Sequence, residues 1–157
     1  MVQRMRLSQV NPAAYQVFKA VEDYVDQSGL DRALLELVRL RASYINGCAF
    51  CVDKHTQDAA CAGETAQRLH AVPVWRETPF FSPRERAALA WTETITEISH
   101  AGVSDAAYAD ARATFEEADL VNLTLAIVAI NGWNRLAIAF GSPPGTYQPT
   151  RAAARSA

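Results

Sequence analysis

Two cysteines and a histidine fall within one short stretch of the chain, at Cys48, Cys51 and His55. Gly47 precedes them and can end one helix, so that Cys48 opens the next. At about 100° per residue, with Cys48 at zero, Cys51 lies at about 300° and His55 at about 340°. The spacing therefore predicts a dithiol and a base on one face of a helix N-terminus. The helix end and a nearby imidazole both lower the pKa of a thiol, and the thiolate is the reactive form of cysteine.

This spacing allows the two cysteines to cycle between dithiol and disulfide, because the first turn of a helix can distort. His55 lies within i,i+4 reach of Cys51 and can take its proton, which favours Cys51 as the thiolate that attacks a peroxide. The opposite order, with Cys48 attacking, is favoured by its place nearer the helix end and by the usual order in thioredoxin-like exchange. Spacing alone leaves both orders open.

Glu36 is a further candidate, on a predicted helix that begins after Asp31. A polar stripe on this helix consists of Glu36, Arg39 and Ser43. In one interpretation the stripe faces solvent, and Glu36 and Arg39 form an exposed ion pair. Alternatively, Glu36 borders the cysteines and relays a proton, because a short connection at Asn46-Gly47 folds the two helices together. In that arrangement we expect burial and a neighbouring thiolate to raise the pKa of Glu36.

The remaining pattern is helical, without the short alternating segments of a sheet protein. A thioredoxin fold needs βαβ units around its Cys-x-x-Cys pair, and none is predicted. We expect an all-α fold of about six to seven helices, with one domain over residues 1–141 and a C-terminal tail over residues 142–157. Helix start and stop signals place the helices at residues 12–27, 32–46, 48–62, 64–70, 83–100, 105–115 and 117–140.

Composition limits the classes of partner. The chain has 157 residues and a formal net charge of −2, which does not favour nucleic acid or an anionic membrane as a partner. Its first residues lack the apolar core of a signal peptide, so we expect a cytoplasmic protein. The apolar stretch from Leu120 to Phe140 includes Asn131, Asn134 and Arg135, which are costly in hydrocarbon. It is therefore predicted to be a core or subunit-interface helix, and no membrane is expected.

The residues around the cysteines resemble the core motif of the alkylhydroperoxidase D family, which belongs to the carboxymuconolactone decarboxylase-like superfamily. The similarity covers most of the chain, roughly residues 12–140. Its matching segments are Glu36, Leu40-Arg41-Ala42-Ser43, Asn46-Gly47-Cys48-Ala49-Phe50-Cys51-Val52-Asp53-Lys54-His55-Thr56, Glu85-Arg86-Ala87-Ala88-Leu89-Ala90-Trp91, Leu123-Thr124-Leu125-Ala126-Ile127 and Asn131-Gly132-Trp133-Asn134-Arg135-Leu136.

The resemblance implies an all-helical, obligate homo-oligomer, most often a trimer or hexamer, that reduces hydroperoxides. It implies a proton relay made of Glu36, Cys48, Cys51 and His55, in which Cys51 attacks the peroxide and Cys48 resolves the product to a disulfide. No cofactor is expected. An external dithiol reductant, such as a lipoyl or thioredoxin-like protein, would regenerate the enzyme.

One residue departs from the family pattern. The best-known hydroperoxidases have a histidine immediately before the second cysteine, where this chain has Phe50. Two alternatives to a peroxidase stay open. The first is a redox sensor or a zinc-binding protein that uses Cys48, Cys51 and His55 with a further carboxylate. The second is a decarboxylase-like enzyme acting on a small lactone, although family members with that activity lack the cysteine pair.

Overall fold

A computed structural model gives the architecture of residues 2–149. These residues form nine α-helices and one 3-10 helix, and no strand occurs among them. In chain order the elements are α1 (Leu7–Val10), α2 (Pro12–Asp26), α3 (Arg32–Asn46), α4 (Ala49–Cys61), α5 (Ala66–Ala71), the 3-10 helix Val72–Glu77, α6 (Pro83–Thr96), α7 (Ile98–Ala101), α8 (Asp105–Arg112) and α9 (Glu117–Phe140).

The predicted all-α class is confirmed, and α3 and α9 have the predicted bounds. The predicted number of helices was too low, because α1 and α7 have only four residues each and give no periodic pattern. The predicted helix over residues 83–100 is divided at Glu97, whose φ of −99° and ψ of 20° interrupt the α-helical path. The 3-10 helix Val72–Glu77 lies between the predicted helices over residues 64–70 and 83–100, where no helix was predicted.

The central element is α3, which packs against α4, α6 and α9. It is apolar on several sides, as a helix surrounded by other helices must be. Its buried apolar residues are Leu34, Leu35, Leu37, Val38, Leu40 and Ala42. Because α3 is enclosed, its polar residues Glu36, Arg39 and Ser43 are buried as well, and each needs a partner inside the protein.

A tight turn brings α4 back against α3. Gly47 ends α3 in the left-handed conformation, with a φ of 68°, which favours glycine. The backbone N–H of Cys48 then donates to the carbonyl of Ser43 at 3.0 Å. As a result, the cysteines at the start of α4 lie beside the last turns of α3.

Asparagine side chains join α3 to α9. Asn46 Nδ2 donates to Asn131 Oδ1 at 3.0 Å and to Asn134 Oδ1 at 2.9 Å, and Asn134 Nδ2 donates to Ser43 Oγ at 3.0 Å. By length and composition α9 could cross a membrane, but many core helices meet the same criteria. Its asparagines bond to α3, which fits the predicted core helix.

Both ends of the described chain lie close to the cysteines. Residues 142–149 contact α4, where the Gly145 N–H donates to Asp53 Oδ2 at 2.7 Å and Tyr147 Oη donates to Asp58 Oδ1 at 2.6 Å. The rest of the predicted tail, residues 150–157, lies outside the described residues. At the other end, the backbone N–H of Arg4 donates to the carbonyl of Phe140 at 2.8 Å.

A candidate redox site at the start of α4

Cys48 is the N-cap of α4, and Cys51 follows one turn later. The two are joined by a disulfide bond, with their Cα atoms 5.3 Å apart. The Cys51 N–H, which has no intrahelical partner, donates to Cys48 Sγ at 3.3 Å. Both cysteines are almost fully buried, whereas Cys61 is free and exposed. The predicted pairing at the helix N-terminus is therefore present, and Cys61 lies apart from it.

His55 and Glu36 form a buried pair across the α3–α4 interface. His55 Nδ1 lies 2.8 Å from Glu36 Oε2. The other carboxylate oxygen, Glu36 Oε1, accepts from Arg39 Nη1 at 2.8 Å, and Arg39 Nη2 donates in turn to Asp26 Oδ1 at 2.5 Å. Since Glu36 is an acceptor, Nδ1 of a neutral His55 carries the proton, and Nε2 is left to act as a base.

Burial and the neighbouring charges shift the pKa values of His55 and Glu36 in opposite directions. Burial lowers the pKa of His55, and the hydrogen bond to Glu36 only partly opposes this effect, so the imidazole is neutral at pH 7. Burial raises the pKa of Glu36, but the hydrogen bond from His55 and the positive charge of Arg39 outweigh it and bring the pKa to about 2. The site therefore combines a carboxylate that remains ionised with a neutral base.

The sequence-based account of Glu36 is confirmed in one respect and wrong in two. Glu36 does border the cysteine-bearing helix, as the second interpretation expected. Its pair with Arg39 exists but is buried rather than solvated. Its pKa is lowered rather than raised, because His55 and Arg39 together stabilise the carboxylate more than burial destabilises it.

A cavity of about 340 Å³ lies next to the cysteine pair. Cys51 and His55 line it together, and Cys48 is not among the described residues that do so. A peroxide in this cavity would meet Cys51 and not Cys48. The apolar part of the wall comes from α4, α9 and the N-terminal segment and consists of Met5, Leu7, Phe50, Ile130, Trp133, Leu136, Ala137 and Phe140.

Three polar residues near the site escaped the sequence analysis. Lys54 Nζ donates to Asp58 Oδ2 at 2.7 Å, and Tyr147 Oη donates to the other oxygen of the same carboxylate. The Lys54 ammonium also lies 5.0 Å from the centre of the Tyr147 ring. The i,i+4 spacing of Lys54 and Asp58 could have revealed their pair. No local signal could have revealed Tyr147, which reaches α4 from the C-terminal segment.

Among the described residues, one group of three side chains has the composition of a metal site. Ligand atoms of Glu36, His55 and Asp58 all lie within 4.8 Å of one another. However, Arg39 and His55 already occupy the Glu36 oxygens, and Lys54 and Tyr147 occupy those of Asp58. Two neighbouring cations would also repel a metal ion. This donor set fits a hydrogen-bonded proton relay better than a zinc centre.

The pKa shifts predict that the free energy of unfolding falls as the pH is lowered from 7. The pKa of His55 is below its ordinary value of 6.5 in the folded protein, so the unfolded chain binds more protons below that pH. The pKa of Glu36 drops from 4.5 to about 2, which adds a second loss of stability below pH 4.5. Urea unfolding between pH 7 and 4 measures the effect.

The variant His55→Gln separates the two contributions to this pH dependence. Glutamine can still donate to Glu36 but does not titrate, so the decline between pH 6.5 and 5 should become shallower while the decline below 4.5 remains. Equal unfolding free energies at pH 7 and pH 5 in the wild-type protein would contradict the lowered pKa of His55.

Comparison with known proteins supports the similarity found in the motif. The model of the carboxymuconolactone decarboxylase family matches residues 12–94. An uncharacterised protein, YdfG, from Bacillus subtilis is 42% identical over 142 residues, which cover 90% of this chain and 97% of that protein.

Two crystal structures share the fold. One is of a protein of unknown function from Agrobacterium tumefaciens, described as a candidate antioxidant defence protein AhpD; it is 40% identical, with a TM-score of 0.90, and the match covers 93% of this chain and all of the other. The second is an alkylhydroperoxidase AhpD core, a peroxidase-related protein from Ralstonia eutropha, at 23% identity and a TM-score of 0.78, with 89% and 74% of the two chains covered. At that identity the second structure is evidence for the fold alone.

Proposed function

This chain belongs to the carboxymuconolactone decarboxylase family, and we propose that it is a thiol-dependent peroxidase of the alkylhydroperoxidase D type. The observation that carries the proposal is that Cys51 and His55 line one cavity, with Cys48 within disulfide distance of Cys51. Glu36 accepts a hydrogen bond from Nδ1 of the imidazole and so fixes the orientation of the ring. A nucleophile, a base oriented by a third group and a second thiol are what a peroxidase cycle requires.

The first half of the cycle oxidises Cys51. In the dithiol form, His55 Nε2 takes the proton of the Cys51 thiol, and the anionic Glu36 stabilises the imidazolium through Nδ1. The Cys51 thiolate attacks the terminal oxygen of the hydroperoxide, so that a sulfur–oxygen bond forms and the oxygen–oxygen bond breaks. The alkoxide takes the proton from His55 and leaves as an alcohol, and Cys51 becomes a sulfenic acid.

The second half restores the thiols. The Cys48 thiolate attacks the sulfur of the Cys51 sulfenic acid, a disulfide forms, and hydroxide leaves and is protonated to water. An external dithiol then reduces the disulfide by thiol exchange and is itself oxidised. The sum is one hydroperoxide and one dithiol converted to one alcohol, one water and one disulfide. A lipoyl or thioredoxin-like protein has the required chemistry.

The test of this function is peroxide consumption, measured with purified protein, a hydroperoxide and either dihydrolipoamide or a reduced thioredoxin. We expect consumption of dithiol and peroxide in equal amounts, at a rate proportional to the amount of protein. A redox sensor would consume about one equivalent and then stop. Lactone decarboxylation that survives replacement of both cysteines would favour the decarboxylase-like alternative.

A specific disulfide should appear in the same experiment. After reduction and treatment with one equivalent of peroxide, we expect peptide mass spectrometry to find the Cys48–Cys51 bond in most of the protein. Cys61 should remain alkylatable, because it is exposed on the far part of α4 and away from the pair. A major disulfide that contains Cys61 would contradict this assignment.

We also propose that the protein is a homo-oligomer. Large apolar side chains are exposed on α2 and α9, which pack against each other. Val17 and Tyr24 lie seven residues apart on α2, as Val121 and Val128 do on α9, and each pair is more than half exposed. Residues seven apart lie about 20° from each other on a helix, so the two pairs form apolar stripes that a second subunit can cover.

Light scattering at micromolar concentration tests the assembly, and we expect the mass of a trimer or a hexamer. Val128→Lys places a charge within the proposed contact and should shift the mass towards that of one chain. Val103→Lys is the matched control, because Val103 is an exposed valine outside α2 and α9. A wild-type mass equal to one chain would rule the oligomer out.

A further inference from the structure

The cavity beside Cys51 is larger and more apolar than hydrogen peroxide requires. Its volume is about 340 Å³, whereas one water occupies about 30 Å³ in the liquid, and hydrogen peroxide adds a single oxygen. Phe50, the residue that departs from the family motif, forms part of the apolar wall together with Trp133 and Phe140. Cavities of this size with mostly apolar walls typically hold small organic ligands.

The indole of Trp133 is a second feature that indicates a ligand in the cavity. Its indole Nε1 is buried, and among the described residues it is the one buried side-chain nitrogen or oxygen without a hydrogen-bond partner. Buried donors in folded proteins are nearly always bonded. Trp133 lines the cavity, and an oxygen atom of an occupant would supply the missing acceptor.

Most of the charge around the cavity is already neutralised. Lys54 lines the wall, but its ammonium lies 2.7 Å from the carboxylate of Asp58. Glu22 also lines the wall, and its carboxylate lies 3.8 Å from the ammonium of Lys19. Neither group is therefore available as an uncompensated charge for a substrate.

Arg6 is the exception among the charged residues of the wall. Its Nε donates to the neutral side chain of Gln3 at 3.2 Å, and no described carboxylate lies within ion-pair distance of its guanidinium. The segment that carries Arg6 is fixed by Arg4, whose Nη1 donates to the carbonyl of Ala139 at 2.8 Å. The cavity thus has apolar walls, a reactive cysteine and one cation without a counter-charge.

We infer that the preferred substrate is a hydroperoxide with an apolar body and a carboxylate, as in a hydroperoxy fatty acid, whose carboxylate pairs with Arg6. This inference rests on the proposed peroxidase function and narrows it. The apolar body packs against Phe50 and Trp133 while the hydroperoxide group meets Cys51. Arginine suits this role because its planar guanidinium binds a carboxylate through two parallel hydrogen bonds. The chemical step is unchanged: the acid-bearing hydroperoxide becomes the corresponding alcohol.

The test compares a hydroperoxy fatty acid with its methyl ester, at concentrations below micelle formation. The two have the same apolar body and the same reacting group, so a difference in kcat/KM reports the carboxylate. We expect the acid to be preferred by about tenfold, which corresponds to about 1.4 kcal/mol. Arg6→Gln should reduce the ratio to about one, and Arg6→Lys should keep part of the preference.

Arg84→Gln is the matched control, because Arg84 is a half-exposed arginine whose guanidinium pairs with Asp119 and does not line the cavity. It should keep the acid preference of the wild type. Equal kcat/KM for acid and ester in the wild type, or an equal loss for both in Arg6→Gln, would overturn the inference while leaving the peroxidase function intact.

Calorimetric titration with an unoxidised fatty acid separates the two proposals. This probe does not react, so its binding does not depend on peroxidase activity. If no hydroperoxide is consumed under any condition but the fatty acid binds and Arg6→Gln weakens the binding, the peroxidase function fails and the cavity assignment stands. If neither binding nor acid preference is observed, the cavity assignment fails.

Discussion

Replacing Cys51 with serine is expected to abolish turnover of every hydroperoxide. Serine is close in shape to cysteine, so the start of α4 should remain intact, but a hydroxyl cannot be oxidised by a peroxide or exchange with a dithiol. Consumption of peroxide should therefore fall to the background reaction of the dithiol alone. The assay is the coupled consumption of peroxide and dihydrolipoamide, with circular dichroism to show that the helices persist.

Cys48→Ser should behave differently, because the attacking thiol is still present. We expect one equivalent of peroxide to be consumed rapidly and Cys51 to stop as a sulfenic acid, which dimedone traps for mass spectrometry. Cys61→Ser is the matched control and should turn over like the wild type, since Cys61 is exposed and unpaired. The reverse result, with the rapid phase lost in Cys48→Ser and kept in Cys51→Ser, would make Cys48 the attacking residue.

The sequence alone could not predict which of the two cysteines attacks the peroxide. The spacing of the cysteines and His55 predicted one cluster, and Asp31 and Gly47 marked the ends of α3, because caps and helical periods are local properties. Which thiol meets the substrate depends on the cavity wall. That wall also comes from α9 and the N-terminal segment, far away in sequence. Only the folded arrangement leaves Cys51 in the wall and Cys48 outside it.

The environment of Glu36 could also be predicted only in part from the sequence. The short turn at Gly47 correctly implied that α3 and α4 lie side by side. The burial of Glu36 could not be predicted, since it results from packing of α3 against three other helices. Its low pKa depends on Arg39, which Asp26 of α2 also holds. A polar stripe on a single helix gives no information about such partners, so the solvated and buried interpretations looked alike.

The second large effect is expected for His55. Removing a positioned general base typically slows the step by about 10²–10⁴-fold, and His55→Ala should slow oxidation of Cys51 by this amount. His55 is buried, however, and alanine would also leave Glu36 without one of its partners. His55→Gln is the better variant, because its amide N–H₂ can still donate to Glu36 while it has no basic nitrogen.

Stopped-flow measurement of a single oxidation, started from the reduced protein, isolates this step from reduction by the external dithiol. The pH dependence distinguishes a base from a structural residue. In His55→Gln no neighbouring base takes the proton of the thiol, so the rate should rise with pH as the solvent ionises the thiol. A residue that only supports the fold would lower the rate equally at every pH.

Glu36→Gln completes the comparison, because it keeps the shape of the side chain and removes its charge. Without the carboxylate, the imidazolium formed in the first step loses its stabilising partner, and we expect oxidation to slow by about tenfold or more. The free energy of unfolding should also fall, but by less than the about 3–5 kcal/mol typical of a broken buried ion pair, because Asp26 would still pair with Arg39. Wild-type oxidation rates in both His55→Gln and Glu36→Gln would exclude the relay and leave the dithiol as the only reactive group.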